Sequence, residues 1–197
     1  MRKIVNILDL LKSVNEGTFI EVLSSFRCSK NKDVEIFLHS KAKDFALQKN
    51  SITYIVFEFE SEYSCILGYF TLAHKSIEIP SKYVKDSNTF RKKLSRYAQL
   101  NNEETSWSSS AFLIAQFAKN DNIPENIDFS GADLMDDCFK VLLDVQHKIG
   151  GGIVYLDAVD ELHLRNFYEK QVDFFEFGSR YSDKLKKTLI QYMKFLR

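Results

Sequence analysis

The chain has 197 residues, 45% of them hydrophobic and 14% aromatic, which supplies a sizeable core for one domain and excludes a disordered or fibrous protein. Lysine plus arginine and aspartate plus glutamate number 27 each, so no overall field draws the molecule to nucleic acid or an anionic membrane, and any such contact must use a local patch. Cys28, Cys65 and Cys138 are an odd count, far apart, with no C-x-x-C pair and no histidine at ligand spacing; they read as reduced thiols rather than a disulfide, redox or metal set.

The first residues turn polar by Asp9 and Lys12 and lack the apolar stretch of a signal peptide. No apolar run approaches the roughly 20 residues that span a bilayer. The expectation is a soluble, cytoplasmic protein with no membrane partner. Ile4, Ile7, Leu8 and Leu11 fall at helical spacing and predict a helix over residues 4–14, stopped by Gly17. Residues 18–26 read as a strand. Residues 32–48 carry Val34, Phe37, Leu38, Ala42, Phe45 and Ala46 at steps of three and four, an amphipathic helix fit to cover one face of a sheet.

Residues 51–60 are β-branched and aromatic, and with residues 64–72 they predict an antiparallel hairpin closed by the charged stretch 58–63. Gly68 lies inside the second strand, where a missing side chain marks a bulge, a close backbone approach, or nothing at all. Residues 76–79 read as a further short strand ended by Pro80. Residues 87–100 place Phe90, Leu94 and Tyr97 on one side of a helix and Arg91, Lys92, Lys93 and Arg96 on the other. That basic face is either solvated or a patch for phosphates. Residues 101–110 are polar and loop-like, with Trp107 half buried. There is no internal repeat and no Pro/Gly-rich linker, so residues 1–197 read as a single domain with a basic insertion at 80–110.

The centre of the chain is residues 111–168, which read βαβα. Residues 111–118 are almost continuously apolar, the pattern of a strand covered on both faces. Ser130 is a good N-cap and Asp133 gives a short version of the capping box, so a helix starts near Gly131. Leu134, Cys138, Val141, Leu142, Val145 and Ile149 form its stripe, and Gly150, Gly151 and Gly152 end it. Unpaired amides of Gly131, Ala132 and Asp133 at such a start suit a phosphate, and Gly131 lets backbone approach it without a Cβ in the way. A short strand at 153–156, a helix through Phe167 and Tyr168, a strand at 172–177 and a last strand at 188–196 complete a mixed sheet with helices between strands.

Taken with Gly68-Tyr69-Phe70-Thr71-Leu72 and the box Phe167-Tyr168-Glu169-Lys170, this order resembles the GNAT N-acetyltransferases, from about Phe26 to the C-terminus. The resemblance is nearest to the toxin-like subgroup of bacterial toxin-antitoxin modules, to which Phe26-Arg27-Cys28, the helix from Val34 to Phe45 and Thr53-Tyr54 are also similar. It implies an α+β (mixed α/β) GNAT fold, with a mixed central sheet splayed between its fourth and fifth strands and flanked by helices, and acetyl-CoA as cofactor. By that resemblance Phe117 and Lys119 on the fourth strand pair by backbone with the pantetheine, and Gly131, Ala132 and Asp133 take the pyrophosphate. The family loop reads Gln/Arg-x-x-Gly-x-Gly/Ala; here Asn126 and Phe129 stand at its first and fourth positions, and Gln171-Val172-Asp173-Phe174 follows the aromatic box where the family commonly has x-Gly-Phe.

The resemblance makes Tyr168 the general acid that protonates the leaving thiolate, with a buried aromatic beside Phe167 as the plain alternative. Glu58 and Glu60 are candidate carboxylates for relaying a water as base, and the three cysteines are expected to be dispensable for chemistry. The implied acceptor is a primary amine, aminoacyl-tRNA first, with a protein or small-molecule amine as alternative. An antitoxin partner and a homodimer are implied as well. The competing expectation is a GNAT-shaped binding module that has lost turnover.

Overall fold

The computed structural model describes residues 1–197 except 60–63, 85–86, 104 and 197. Glu60 and most of the charged turn after residue 58 therefore lie outside the described residues. The strands form one eight-stranded mixed sheet in the order β1-β2-β3-β5-β6-β8-β7, with β4 paired to β5. Contacts divide the chain into two compact units, residues 1–73 with 114–140 and residues 74–113 with 141–197.

In the first unit, β1 (Arg2–Asn6) runs antiparallel to β2 (Ile52–Phe59). The expected helix over 4–14 is thus a strand followed by α1 (Ile7–Ser13). β-Branched Ile4 and Val5 join the sheet edge, and the Asn6 side chain accepts from the Leu8 amide at 2.9 Å to start the helix only afterwards. The strand expected at 18–26 is α2 (Glu16–Ser24): Asn15 caps it through the Thr18 amide, Gly17 lies inside it rather than stopping it, and Phe19 and Leu23 are buried one turn apart. Capping overrides the β-propensity of Thr18, Phe19, Ile20 and Val22. The helix expected at 32–48 is two pieces, α3 (Lys32–Ser40) and α4 (Ala42–Leu47), meeting at Lys41.

These helices cover a core of Ile7, Phe19, Leu23, Phe26, Leu38, Ala42, Ala46, Ile55 and Tyr69. Tyr69 is fully buried, edge-on to Phe26 at 5.1 Å, and its hydroxyl donates to the Val34 carbonyl at 2.5 Å. The hairpin is present: β2 pairs antiparallel with β3 (Ser64–Pro80), and Thr53 and Thr71 share a buried hydroxyl hydrogen bond of 2.8 Å. The short strand expected at 76–79 is the continuation of β3. The register slips between Val56 and Phe57, which face Gly68 and Ile66, so Leu67 is the extra residue of a bulge. A Cβ on Gly68 would sit 2.9 Å from the Ala118 carbonyl oxygen and 3.0 Å from Leu134 Cδ2. Gly68 therefore marks both a bulge and a close approach.

The second unit is built on Ile77, Ile79, Leu94, Ala98, Ala111, Ile153, Phe177, Met193 and Phe195, with Phe90, Trp107, Tyr155 and Phe175 packed around them. α5 (Asn88–Leu94) is capped by Ser87 and turns Leu94 inward. β4 (Gln99–Leu100) follows, and β5 (Ser106–Lys119) begins inside the stretch expected to be loop, because Gln99 and Leu100 pair with Ser108 and Trp107. β6 (Ile153–Val159), β7 (Phe175–Ser182) and β8 (Lys187–Phe195) form an antiparallel group centred on β8. The last expected strands are present, with β7 shifted three residues downstream by the turn described below. Among the described residues no helix is long and apolar enough to cross a membrane.

Candidate active site

β5 and β6 are parallel and share a ladder of two residue pairs, Phe112 with Val154 and Leu113 with Tyr155. β6 is paired antiparallel to β8 along its whole length, Ile153 to Phe195 through Val159 to Leu189. β5 continues to Lys119. Ala111, Phe112, Ile114 and Ala118 are buried, but Ala115 and Lys119 are exposed and Gln116 and Phe117 half buried, so the expected burial on both faces holds only at the start of the run. The apolar run alone could not reveal this, since a strand with one open face and a buried strand share it.

The end of β5 is fixed by Asn120, a buried residue. Its amide N–H donates to the Leu67 carbonyl at 2.9 Å, its side-chain nitrogen donates to the Ile66 carbonyl at 2.7 Å, and its side-chain oxygen accepts from Arg27 and Asn122 amides at 2.9 and 3.1 Å. Asp121 extends the same grip, its carboxylate accepting from the Ser29 amide at 2.5 Å. Those Ser29 hydrogen bonds hold the Asp121 carboxyl below the usual range.

α6 (Gly131–Ile149) starts where expected. Ser130 Oγ accepts from the Asp133 amide at 3.2 Å, and the Asp133 carboxylate accepts from the Ser130 amide at 2.9 Å and its hydroxyl at 2.5 Å, a reciprocal box with Asp in place of Glu. Those two bonds, more than the nearby Arg2, pull the Asp133 pKa down. The amide of Asp133 is thus engaged, whereas those of Gly131 and Ala132 have no acceptor among the described residues. Two free amides at the positive end of a 19-residue helix, one on a glycine, fit a phosphate group. Lys119 adds a cation there: its Nζ donates to the Phe129 carbonyl at 2.9 Å, one residue before the cap.

The expected stripe of α6 is only half right. Leu134, Cys138 and Leu142 are buried together with Met135 and Asp137, but Ile149 is exposed. Asp137 is a residue the sequence reading missed. Its carboxylate, 2% exposed, lies 3.2 Å from Arg2 Nε and 2.7 Å from Lys140 Nζ. Arg2 also reaches Asp133 at 3.7 Å and stacks on the Phe129 ring with its guanidinium carbon 5.6 Å from the centroid. Phe129, where the family loop has Gly, is accordingly buried under Arg2, and Asn126 is exposed. Nothing in the sequence pairs Arg2 with residue 137, because the contact depends on β1 being a strand.

Tyr168 lies in the second unit and is 7% exposed. The expected helix consists of α7 (Leu162–Arg165) and a π-helical turn over Asn166–Gln171. The Val172 amide reaches back five residues to the Phe167 carbonyl at 3.1 Å, and the Phe174 amide reaches the Tyr168 carbonyl at 2.8 Å. A five-residue closure holds one residue more than an α-turn, which is how Gln171-Val172-Asp173-Phe174 fits where the family has x-Gly-Phe. Asp173 takes a left-handed backbone there, at φ 58°. Lys194 Nζ steadies the turn by donating to the Val172 carbonyl at 2.7 Å.

Tyr168 packs edge-on to Phe167 at 5.0 Å and to Phe174 at 6.1 Å, and lies stacked on Tyr192 at 5.5 Å with 29° between ring planes. The structure therefore gathers Phe117, Lys119, Gly131, Ala132 and Asp133 in one unit and places Tyr168 in the other. Glu58, one of the two carboxylates considered for the base, forms an ion pair with the N-terminal ammonium; Glu60 is outside the described residues. No disulfide joins the cysteines among the described residues; Cys28 and Cys138 are buried and Cys65 half buried, with burial raising the pKa of Cys28 and Cys138. Among the described residues no cluster could hold a metal ion.

This architecture is the GNAT fold. No protein-family model matches the chain, and no curated protein matches it significantly. Solved structures do. A tyrosine-to-phenylalanine mutant of KacT is similar over 98% of this chain and 94% of its own, with 16% identity and a TM-score of 0.65. AtaT complexed with acetyl-methionyl-tRNAfMet is similar over 96% and 94%, with 16% identity and a TM-score of 0.63. The AtaT mutant toxin bound to acetyl-CoA and the C-terminus of the antitoxin AtaR is similar over 99% and 93%, with 14% identity and a TM-score of 0.62. At these identities the shared property is the fold.

Proposed function

We propose that the chain is a cytoplasmic, acetyl-CoA-dependent N-acetyltransferase of the toxin type, acting as one domain on a primary amine, with the aminoacyl group of a tRNA as acceptor. The observation that carries this is the start of α6, the element that follows β5, where the amides of Gly131 and Ala132 have no acceptor among the described residues. The complexes of AtaT with acetyl-CoA and with acetyl-methionyl-tRNAfMet support the cofactor and the acceptor. An antitoxin partner is supported in the same way by AtaR, and a homodimer is part of the reading. The exposed residues Arg91, Lys92 and Arg96 on and after α5, with Lys93 beside them, supply the cations an RNA backbone needs in a chain of zero net charge.

In this reading backbone groups of Phe117 and Lys119 hold the pantetheine, and the amides of Gly131 and Ala132, with Lys119 Nζ, hold the diphosphate. Bound acetyl-CoA supplies an activated thioester. Tyr168 Oη gives its proton to the departing sulfur as the neutral amine takes the acetyl carbon, and the surplus proton on nitrogen leaves through water. A phenol at about 10 and a thiol at about 8.5 make that transfer uphill by roughly 2 kcal/mol, a modest part of an enzymatic barrier. No acyl-enzyme forms, so none of the cysteines is used.

The second reading, a binding module without turnover, is favoured by Phe129 lying buried under Arg2 where the family loop has Gly. Calorimetry with acetyl-CoA and a transfer assay with methionyl-tRNA separate the two. The enzyme reading expects binding, transfer, and a fall of about 10² in kcat for Tyr168→Phe with little change in cofactor affinity. Binding without transfer to tRNA, protein or small amines supports the module. No binding at millimolar acetyl-CoA removes the acetyl-CoA site from both.

A further inference from the structure

We infer that Tyr192 is a positioning residue for Tyr168, held in place by Glu169, so that two consecutive residues of the π-helical turn grip one ring of the neighbouring strand. The inference rests on the general-acid role proposed for Tyr168. Tyr192 stands in the middle of β8, 1% exposed, opposite Leu156 of β6 and Glu176 of β7. The Tyr168 ring lies on its face, and its hydroxyl donates to Glu169 Oε1 at 3.1 Å. Adjacent residues of a regular helix point about 100° apart and do not share a partner. Here Tyr168 and Glu169 do share one.

The far end of the chain is also fixed. Glu169 lies 3.8 Å from Arg165 Nη1, which is 3.4 Å from Glu176, while Arg165 Nε donates to Asp160 at 2.6 Å. Burial first, and the Glu169 carboxylate second, raise the Tyr192 pKa, which keeps its hydroxyl a donor. Phe167 of the turn and Phe174 just after it bound the Tyr168 ring edge-on. Tyr192 is the wall of this set that comes from a strand, and the Glu169 bond adds to its burial in fixing where its ring lies. A donor displaced by about 1 Å can lose on the order of 10² in rate, so the clamp sets how well Tyr168 Oη meets the sulfur.

The test compares wild type, Tyr192→Phe, Tyr168→Phe and the double variant in transfer from acetyl-CoA to methionyl-tRNA, with a thermal melt on each. Tyr192→Phe keeps the stack and loses the hydrogen bond. It is expected to lower kcat about tenfold while leaving the KM for acetyl-CoA within about twofold, and to add nothing in the Tyr168→Phe background. Glu169→Gln, which retains an acceptor, is expected to keep most of the activity, and Glu169→Leu to match Tyr192→Phe. A single unshifted ¹⁹F resonance from 3-fluorotyrosine at position 168, in both wild type and Tyr192→Phe, would overturn the clamp; a shifted or second resonance supports it. A full multiplicative loss in the Tyr168→Phe background would overturn it too. Absence of transfer by the wild type is a different result, which sinks the acetyltransferase reading and leaves the resonance to decide whether Tyr192 holds Tyr168.

Discussion

Replacing Gly68 with alanine loads the close approach of β3 to Ala118 and Leu134 directly. The new Cβ would lie 2.9 Å from the Ala118 carbonyl oxygen and 3.0 and 3.2 Å from the two Leu134 methyls. Leu134 is fully buried and can shift a few tenths of an ångström; the Ala118 carbonyl belongs to β5, one residue before a strand end that Asn120 and Lys119 hold down. Overpacking of this kind costs up to about 3 kcal/mol, and removing glycine's backbone freedom returns about 1 kcal/mol. The net loss of about 2 kcal/mol corresponds to a fall of roughly 4–8 °C in Tm for a chain of this size. Thermal and urea melts followed by circular dichroism give the stability. Calorimetry with acetyl-CoA should show weaker binding, because the displaced groups are the end of β5 and the first turn of α6. Gly68→Ala with Leu134→Ala should relieve the side-chain part of the clash and not the carbonyl part. A Gly68→Ala protein melting within about 1 °C of wild type and binding acetyl-CoA normally refutes the reasoning.

Arg2→Met should cost about 2–4 kcal/mol in urea unfolding, since it leaves the buried Asp137 carboxylate with Lys140 alone. Ser130→Ala should lower stability at neutral pH by about 1 kcal/mol through loss of the cap. It should also flatten the acid limb: the Asp133 pKa is depressed in the folded state mainly by Ser130, so its contribution is complete above the unfolded value of about 4 and disappears as pH falls through the lower folded value. Unfolding curves at neutral pH and below about pH 3 check both parts. Asp173→Gly should leave stability unchanged or raise it slightly, whereas Asp173→Val should lower it by about 1–2 kcal/mol, because a β-branched residue resists φ 58°; the exposed ion pair with Lys194 contributes little to either outcome.

Where a segment carried both its period and its punctuation, sequence and structure agree. α6 is the clearest case, with Ser130 and Asp133 at one end and three glycines at the other. The hairpin of β2 and β3 is another, since Ile52 to Phe57 can hardly be anything but a strand. The errors cluster in the first 26 residues. There helical spacing in Ile4, Ile7 and Leu8 straddles a strand–helix junction, and the asparagine caps Asn6 and Asn15 outweigh the apolar period and the β-propensity around them. At the candidate site, the start of α6 at Gly131 was legible from its local capping motif, while Tyr168 was put forward only through the resemblance of its aromatic box. Arg2, Asn120, Asp137 and Tyr192 were not, because each acts through partners at least 23 residues away or through a register that only the folded sheet defines.

The four-way grip of Asn120 has a practical corollary for anyone wishing to graft a different connector between β5 and α6. Residues up to Asn122 are riveted to the Arg27 segment and to β3, and Phe129 onward is clasped by Lys119 and Arg2. Length can therefore be added or removed only in the six-residue span from Ile123 to Asp128, and transplants cut outside it should splice two anchored ends out of true.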